Sequence, residues 1–167
     1  MLPRTSLATL IAISLMVCVA CSKQDPPPTS TVAPSDHVAP TPVGTTQAVL
    51  EKTFNLKGSA TFPFEIPAHA VQPHLHGIFE SFVGQVHGAS DESANIDFMI
   101  MNEAQQADLV ADRASEALFS VESSHNQAVN FDLPASMSHP VKYYLVFRSA
   151  EKSKGTKVVE ANFRVDF

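Results

Sequence analysis

Residues 157–167 read KVVEANFRVDF, and apolar and polar side chains alternate over most of this segment. Successive side chains of a β-strand point to opposite faces of a sheet, so the alternation predicts a strand with one buried and one solvated face. The segment VKYYLVFRS, residues 141–149, follows the same rule, with Val146 assigned to the polar face beside Lys142 and Arg148. On the final strand, the residues predicted to face inward are Ala161, Phe163, Val165 and Phe167.

Six further strands are predicted by the same period of two. Eight short strands at regular spacing indicate an all-β fold, a single antiparallel β-sandwich formed by residues 49–167. The six strands are Val49–Lys57, Ala60–Pro67, His74–Val83, Ala94–Met101, Ala117–Glu122 and Ala128–Leu133.

The segment Asn102–Glu116 breaks the strand pattern, because it is rich in Ala, Gln, Asp and Glu. Asn102 has a side chain suited to capping a helix. The apolar face of such a helix is mostly alanine, so it would be short and weakly held. We interpret the segment as a surface excursion between strands, and the pattern leaves open whether residues 103–116 are helical.

The opposite end of the sequence resembles the export signal of a bacterial lipoprotein. Arg4 precedes the apolar run Leu7–Ala20, which stops at Cys21 and gives way to polar residues. A signal-peptide core has roughly 7–15 apolar residues, whereas a membrane span needs around 20. The resemblance implies a signal peptide at residues 1–20 and a lipid attached to Cys21. An ordinary secretory signal and a permanent anchor remain alternatives.

Between this signal and the predicted sandwich lies a segment rich in Pro, Thr and Ser, residues 21–48. It has too few apolar residues to offset the entropy cost of ordering, so we expect a disordered, extended tether. Both cysteines, Cys18 and Cys21, lie before or at its start, so the domain forms no internal disulfide. Ser22 resembles the residue found in lipoproteins sent to the outer membrane, which predicts that location, facing either the periplasm or the cell surface.

Several short motifs in the strand series resemble GOLD/emp24-like β-sandwich domains. They are FEIPA at 64–68, LHGIFES at 75–81, NIDFMI at 95–100, YYLVF at 143–147 and KVV at 157–159. The resemblance covers nearly all of the predicted domain. It implies a β-sandwich that binds proteins, and it brings no catalytic residues with it.

Two histidines form a candidate metal site. His74 and His76 are two residues apart on a predicted strand, so both imidazoles face the same way. Imidazole nitrogens are ligands that Zn²⁺ and Cu²⁺ favour, but a closed zinc site needs about four ligands. The sequence identifies no further ligands that converge with them. Solvent-facing or hydrogen-bonded histidines are the alternative interpretation.

The loop around residues 151–157 is a candidate binding element. Lys152, Lys154 and Lys157 would form a basic tip that contacts acidic headgroups or an acidic partner. A solvated hairpin is the alternative. The formal net charge of the whole sequence is −6, which argues against nucleic-acid binding.

No catalytic residue and no cofactor-binding motif can be identified. The sequence lacks Gly-x-Ser-x-Gly, His-Glu-x-x-His and a phosphate-binding glycine-rich loop. We therefore expect a non-enzymatic lipoprotein without a cofactor, attached to the membrane through its N-terminal lipid. Its sandwich is expected to bind another envelope protein. Metal binding by His74 and His76 is the alternative function, and the oligomeric state stays open.

Overall fold

The computed structural model describes residues 43–84, 92–149 and 155–167. Within these ranges, no helix has the length and hydrophobicity needed to cross a membrane. The sequence predictions that fall outside them concern the signal peptide at 1–20, Cys21, nearly all of the tether, Lys152 and Lys154.

All eight predicted strands are present, and each boundary lies within three residues of its predicted position. Because period-two alternation depends on one buried face, the strand interiors were better determined than their ends. The strands are β1 (Thr46–Leu56), β2 (Ser59–Ile66), β3 (His74–Phe82), β4 (Ile96–Asn102), β5 (Phe119–Ser124), β6 (Asn126–Asp132), β7 (Val141–Ser149) and β8 (Lys157–Asp166).

The strands form two four-stranded antiparallel sheets, which confirms the predicted sandwich. Sheet 1 has the order β1-β8-β3-β6, and sheet 2 has the order β2-β7-β4-β5. Most consecutive strands therefore lie in different sheets, and the chain crosses between layers rather than forming simple hairpins. Strands β1, β6, β2 and β5 are the edges.

Four phenylalanines at the centre of the core join the two sheets. Phe79 and Phe163 extend from sheet 1, while Phe98 and Phe147 extend from sheet 2, and all four are fully buried. The ring of Phe98 lies 5.1 Å from Phe163 and 5.1 Å from Phe147, measured between centroids. Interdigitated aromatic side chains of this kind fill the space between packed sheets and add about 0.5–1.5 kcal/mol per pair beyond their burial.

The excursion after β4 contains one short helix, α1 (Glu103–Val110). Its amino terminus is closed by a reciprocal pair: Gln105 N donates to Asn102 Oδ1, and Asn102 N donates to Gln105 Oε1, each at 2.9 Å. This arrangement satisfies two backbone groups at the helix start. The prediction that Asn102 caps a helix is therefore confirmed. No residue of α1 is fully buried, so it lies on the surface as expected.

Helix α1 creates a second, smaller apolar cluster on the outer side of sheet 2. Leu109 of the helix packs against Met99, Met101 and Val146. Val146 lies on the outer face of β7 with Lys142 and Arg148, as assigned, but it is only 1% exposed and not solvated. Period-two alternation does not reveal that a helix from another part of the chain covers a sheet's outer face.

Candidate binding surface

The outer face of sheet 1 carries polar and charged side chains around one apolar residue. Helix α1 packs on sheet 2, and no α-helix in the described ranges packs on this side of sheet 1. We call it the open face. It consists of His74, His76, Ile78 and Glu80 on β3 and their cross-strand partners Asp132, Asn130, Ala128 and Asn126 on β6, and Asp166, Arg164, Asn162 and Glu160 on β8.

Each of the two histidines of the open face lies beside a carboxylate. His74 is the cross-strand partner of both Asp132 and Asp166. Its Nδ1 lies 2.6 Å from Asp132 Oδ1, and His76 Nε2 lies 3.2 Å from Asp166 Oδ2. The two imidazole rings are stacked, with centroids 6.1 Å apart. The sequence prediction that both histidines share one face is therefore correct.

The carboxylate of Asp166 also accepts a hydrogen bond from Thr46. Thr46 Oγ1 donates to Asp166 Oδ1 at 2.6 Å. This hydrogen bond, together with the nearby His76 and His74, lowers the pKa of Asp166 from its usual value of 3.8, against a smaller opposing effect of burial. Asp166 therefore stays ionised to lower pH than an isolated aspartate.

The two aspartates beside these histidines were missed by sequence reasoning. Asp132 and Asp166 lie far along the chain from the histidines, and only the pairing of β6 and β8 with β3 brings them together. Among the residues that the structure describes, no three His, Cys, Asp or Glu side chains come together in a way that could hold a metal ion. Each imidazole instead faces its own carboxylate.

A groove crosses the open face at Ile78. It has a volume of about 360 Å³, and its polar boundary includes Glu51, Glu80 and Glu160. Ile78 itself is 49% exposed, which is high for an isoleucine in the middle of a strand. A second depression of about 300 Å³ continues the groove towards β6 and shares Ile78 and Asn162 with it. The groove therefore runs across the strands from β1 to β6.

A second exposed apolar feature lies where two loops meet at one end of the sandwich. The loops are joined by Ser136, which is buried and accepts a hydrogen bond from Ala70 N at 2.8 Å. His69 N also donates to Met137 O at 2.8 Å, with His69 in a left-handed conformation at φ 63°. Val71 and Met137 project from this end and are more than three-quarters exposed.

The structure corrects the prediction that Lys157 belongs to an exposed basic tip. Lys157 is 1% exposed, because the alternation of β8 points it inward, opposite Leu56 of β1. Its aliphatic chain is buried, and its Nζ donates to Ser149 Oγ at 2.7 Å. Burial lowers the pKa of the Lys157 amine, and the carboxylate of Asp97 partly offsets this effect. Lys157 therefore contributes to the packing of the domain and does not belong to an exposed binding element.

No protein-family model matches this sequence, and no curated protein matches it significantly.

Proposed function

We propose that this chain is a non-enzymatic, lipid-anchored protein of the bacterial cell envelope whose β-sandwich binds another envelope protein. The open face carries the binding part of the proposal. It is a broad sheet surface with a groove centred on the half-exposed Ile78, while the corresponding side of sheet 2 is partly covered by α1. The groove gives this face a concave centre with a polar boundary, an arrangement in which an apolar side chain of a partner can be buried.

The lipid anchor rests on the sequence alone. Cys21 follows the apolar run Leu7–Ala20, and the tether up to residue 48 would separate a lipid at Cys21 from the domain. Two or more acyl chains suffice for stable attachment to a membrane. The expected location is the outer membrane. Membership of the GOLD/emp24-like domains stays part of the proposal, and the eight-stranded sandwich is compatible with it.

Chemical cross-linking in intact cells tests the proposal directly. The full-length protein should give a reproducible cross-linked species of higher mass in the membrane fraction, with the partner identified by mass spectrometry. The Cys21→Ser variant should fold but appear in the soluble fraction, because it lacks the residue that carries the lipid. Recovery of only a monomeric, freely diffusing wild-type protein would contradict both parts of the proposal.

Metal binding is the second candidate, and the shared face of His74 and His76 favours it. Each imidazole contacts its carboxylate through one ring nitrogen, Nδ1 of His74 and Nε2 of His76, so an ion would bind through the other nitrogen while the carboxylate orients the ring. Calorimetric titration of the full chain with Zn²⁺ and Cu²⁺ should then show stoichiometric binding that a His74→Ala, His76→Ala double variant loses. A matched His125→Ala variant should keep it, and equal heats for all three proteins would exclude these ligands.

A further inference from the structure

Among the four edge strands that the structure describes, β6 is the one that contains neither a bulge nor a proline. Strand β1 contains a bulge between Ala48 and Leu50, and β5 contains another near Ser123, whose φ is 52°. Strand β2 carries Pro63 at its centre. Bulges and prolines are common means of protecting exposed sheet edges. Strand β6 pairs with β3 without interruption over all seven residues.

Two hydrogen bonds show which backbone groups of β6 point towards its free edge. Ser81 N donates to His125 O at 2.7 Å, and Leu133 N donates to Pro73 O at 2.9 Å. The direction of the backbone groups alternates along an antiparallel strand, so the odd-numbered residues of β6 face β3. The N–H and C=O groups of the even-numbered residues therefore point outward. These residues are Asn126, Ala128, Asn130 and Asp132.

Two of the outward carbonyls are occupied by side chains that can be displaced. Ser124 Oγ donates to Asn126 O at 3.2 Å, and Gln127 Nε2 donates to Ala128 O at 2.9 Å. Both bonds are solvent-exposed, so water or an added strand can replace the side-chain donor. The edge is thus covered by the side chains of Ser124 and Gln127, and not by a bulge or a proline in the backbone.

The two sides of this edge offer different chemistry to an added strand. On the inner side, Phe131 packs against Phe119 of β5 with ring centroids 5.5 Å apart, and both rings are only partly buried. An apolar side chain beside them would extend the core. On the outer side, Asp132 has a side chain that is 92% exposed. A cationic side chain beside it would gain an electrostatic contact.

We propose that the partner binds at β6 as an extended segment that adds a fifth strand to sheet 1. Its side chains alternate, with apolar residues towards Phe131 and Phe119 and a lysine or arginine near Asp132. Main-chain hydrogen bonds supply affinity in this mode of recognition, and alternate side chains supply specificity. The inference rests on the proposed function, because it names where and how the envelope partner is held.

Charge distinguishes this occupant from a second copy of the chain. Strand β6 reads NQAVNFD and contains no basic residue. Self-pairing of two β6 strands therefore places no cation of the strand beside Asp132. A partner segment with lysine or arginine on the outer side would supply a cation there, and so we expect a different polypeptide.

A synthetic peptide provides the direct test with the purified full-length protein in detergent. The probe is a heptapeptide of alternating lysine and valine, acetylated and amidated at its ends, and binding is followed by hydrogen exchange of protein amides. At a free peptide concentration about ten times Kd, exchange at Ala128 and Asn130 should slow by about tenfold. The amides of Gln127 and Val129, which already face β3, should change little.

Two controls separate strand pairing from general attraction to an acidic protein. A peptide with the same sequence but with N-methyl groups on the amides that would pair keeps its charge and loses its donors, so it should not protect the edge. A peptide of alternating glutamate and valine should bind at least about tenfold more weakly, which is about 1.4 kcal/mol. Equal binding of the N-methylated peptide would overturn the proposal, as would no binding of the lysine peptide.

A matched pair of variants tests the same edge in the protein. Ala128→Pro removes an N–H that points outward and leaves the β3 ladder intact, whereas Ala128→Val keeps that N–H. Ala128→Pro should lose peptide protection, and Ala128→Val should retain it. If Ala128→Pro fails to fold, as judged by circular dichroism, the N-methylated peptide still decides the matter.

The same variants in the cellular cross-linking experiment separate this inference from the proposed function. A cross-linked partner that Ala128→Pro loses and Ala128→Val keeps supports both. A partner that survives in Ala128→Pro overturns the β6 inference and leaves the proposed function standing. A wild-type homodimer that Ala128→Pro dissolves overturns the inference in another way, because the occupant is then a second copy.

Discussion

Replacing Gly77 with alanine should destabilise the domain through crowding between β3 and β8. Gly77 lies opposite Phe163, and a Cβ at this position would be 2.3 Å from Asn162 O and 2.6 Å from Phe163 Cδ1. The nearest atom is a backbone oxygen, so a rotamer change of a side chain cannot relieve the contact. The two central strands of sheet 1 must move apart by about 1 Å to restore van der Waals separation.

The size of the effect follows from two opposing contributions. Overpacking of a core costs about 1–3 kcal/mol, and the overlap with a backbone atom places Gly77→Ala near the upper end. Replacing glycine with alanine also restricts the unfolded chain, which returns about 0.4–1 kcal/mol. The free energy of unfolding should therefore fall by about 2 kcal/mol, with a decrease in Tm of about 5–10 °C.

Urea unfolding followed by far-ultraviolet circular dichroism measures this change, because the chain has no tryptophan to serve as a fluorescent probe. Gly84→Ala is a useful comparison, since Gly84 has a φ of 78° and a Cβ added there would meet no atom within 4 Å. It should show the cost of backbone strain without crowding, about 1–2 kcal/mol. A Gly77→Ala variant within about 0.5 kcal/mol of the wild type, the ordinary range of surface substitutions, would refute the crowding argument.

Three further predictions concern titratable groups. Burial raises the pKa of the Tyr143 hydroxyl above 10.0, so the contribution of this group to the free energy of unfolding should be constant below pH 10 and fall above it. Tyr143→Phe should remove this part of the alkaline decline. Thr46→Val should raise the lowered pKa of Asp166, as measured by NMR titration of the carboxyl group. In the wild type, the stability that this carboxylate contributes is retained above pH 3.8 and is lost as the pH falls through its folded-state pKa. Asp97 accepts from Arg148 Nη2 at 3.2 Å and from Ser123 N at 3.1 Å, and the Arg148 side chain is 47% exposed. Asp97→Ala should therefore cost about 0.5–1 kcal/mol in urea unfolding, and Asp97→Asn, which keeps one oxygen acceptor, should cost less. An unchanged unfolding curve for Asp97→Ala would show that neither contact of this carboxylate contributes to stability.

The strands and the helix start could be predicted because their signals are local. Alternation along residues 141–149 and 157–167 reports which side chains are buried, and Asn102 with Gln105 forms a cap within four residues. The alternation assigned Val146 to the outer face correctly but did not show that it is buried there, because its burial depends on α1, which comes from a different part of the chain. Local patterns carry no information about which segment covers an outer face.

In the candidate site, too, local features could be predicted and contacts between distant segments could not. The sequence placed His74 and His76 on one face, but it did not identify Asp132 and Asp166, which join them through the pairing of β3 with β6 and β8. Lys157 was predicted from its basic neighbours to lie in an exposed tip. In the structure it is buried, because it is the first residue of β8 and its side chain points to the inner face of the strand.

The amino-acid sequence by itself thus determined the all-β class, the eight strands, the inward face of the final strand and the capped start of α1. Each of these depends on residues a few positions apart, where side-chain direction follows from backbone geometry. Only the tertiary structure decided the order of strands within the sheets, the carboxylates that meet the histidines, and, within the described residues, which sheet face α1 covers and which edge strand lacks a bulge or proline. These depend on contacts between residues distant in the chain, and their free energy is gained only when the two sheets pack together.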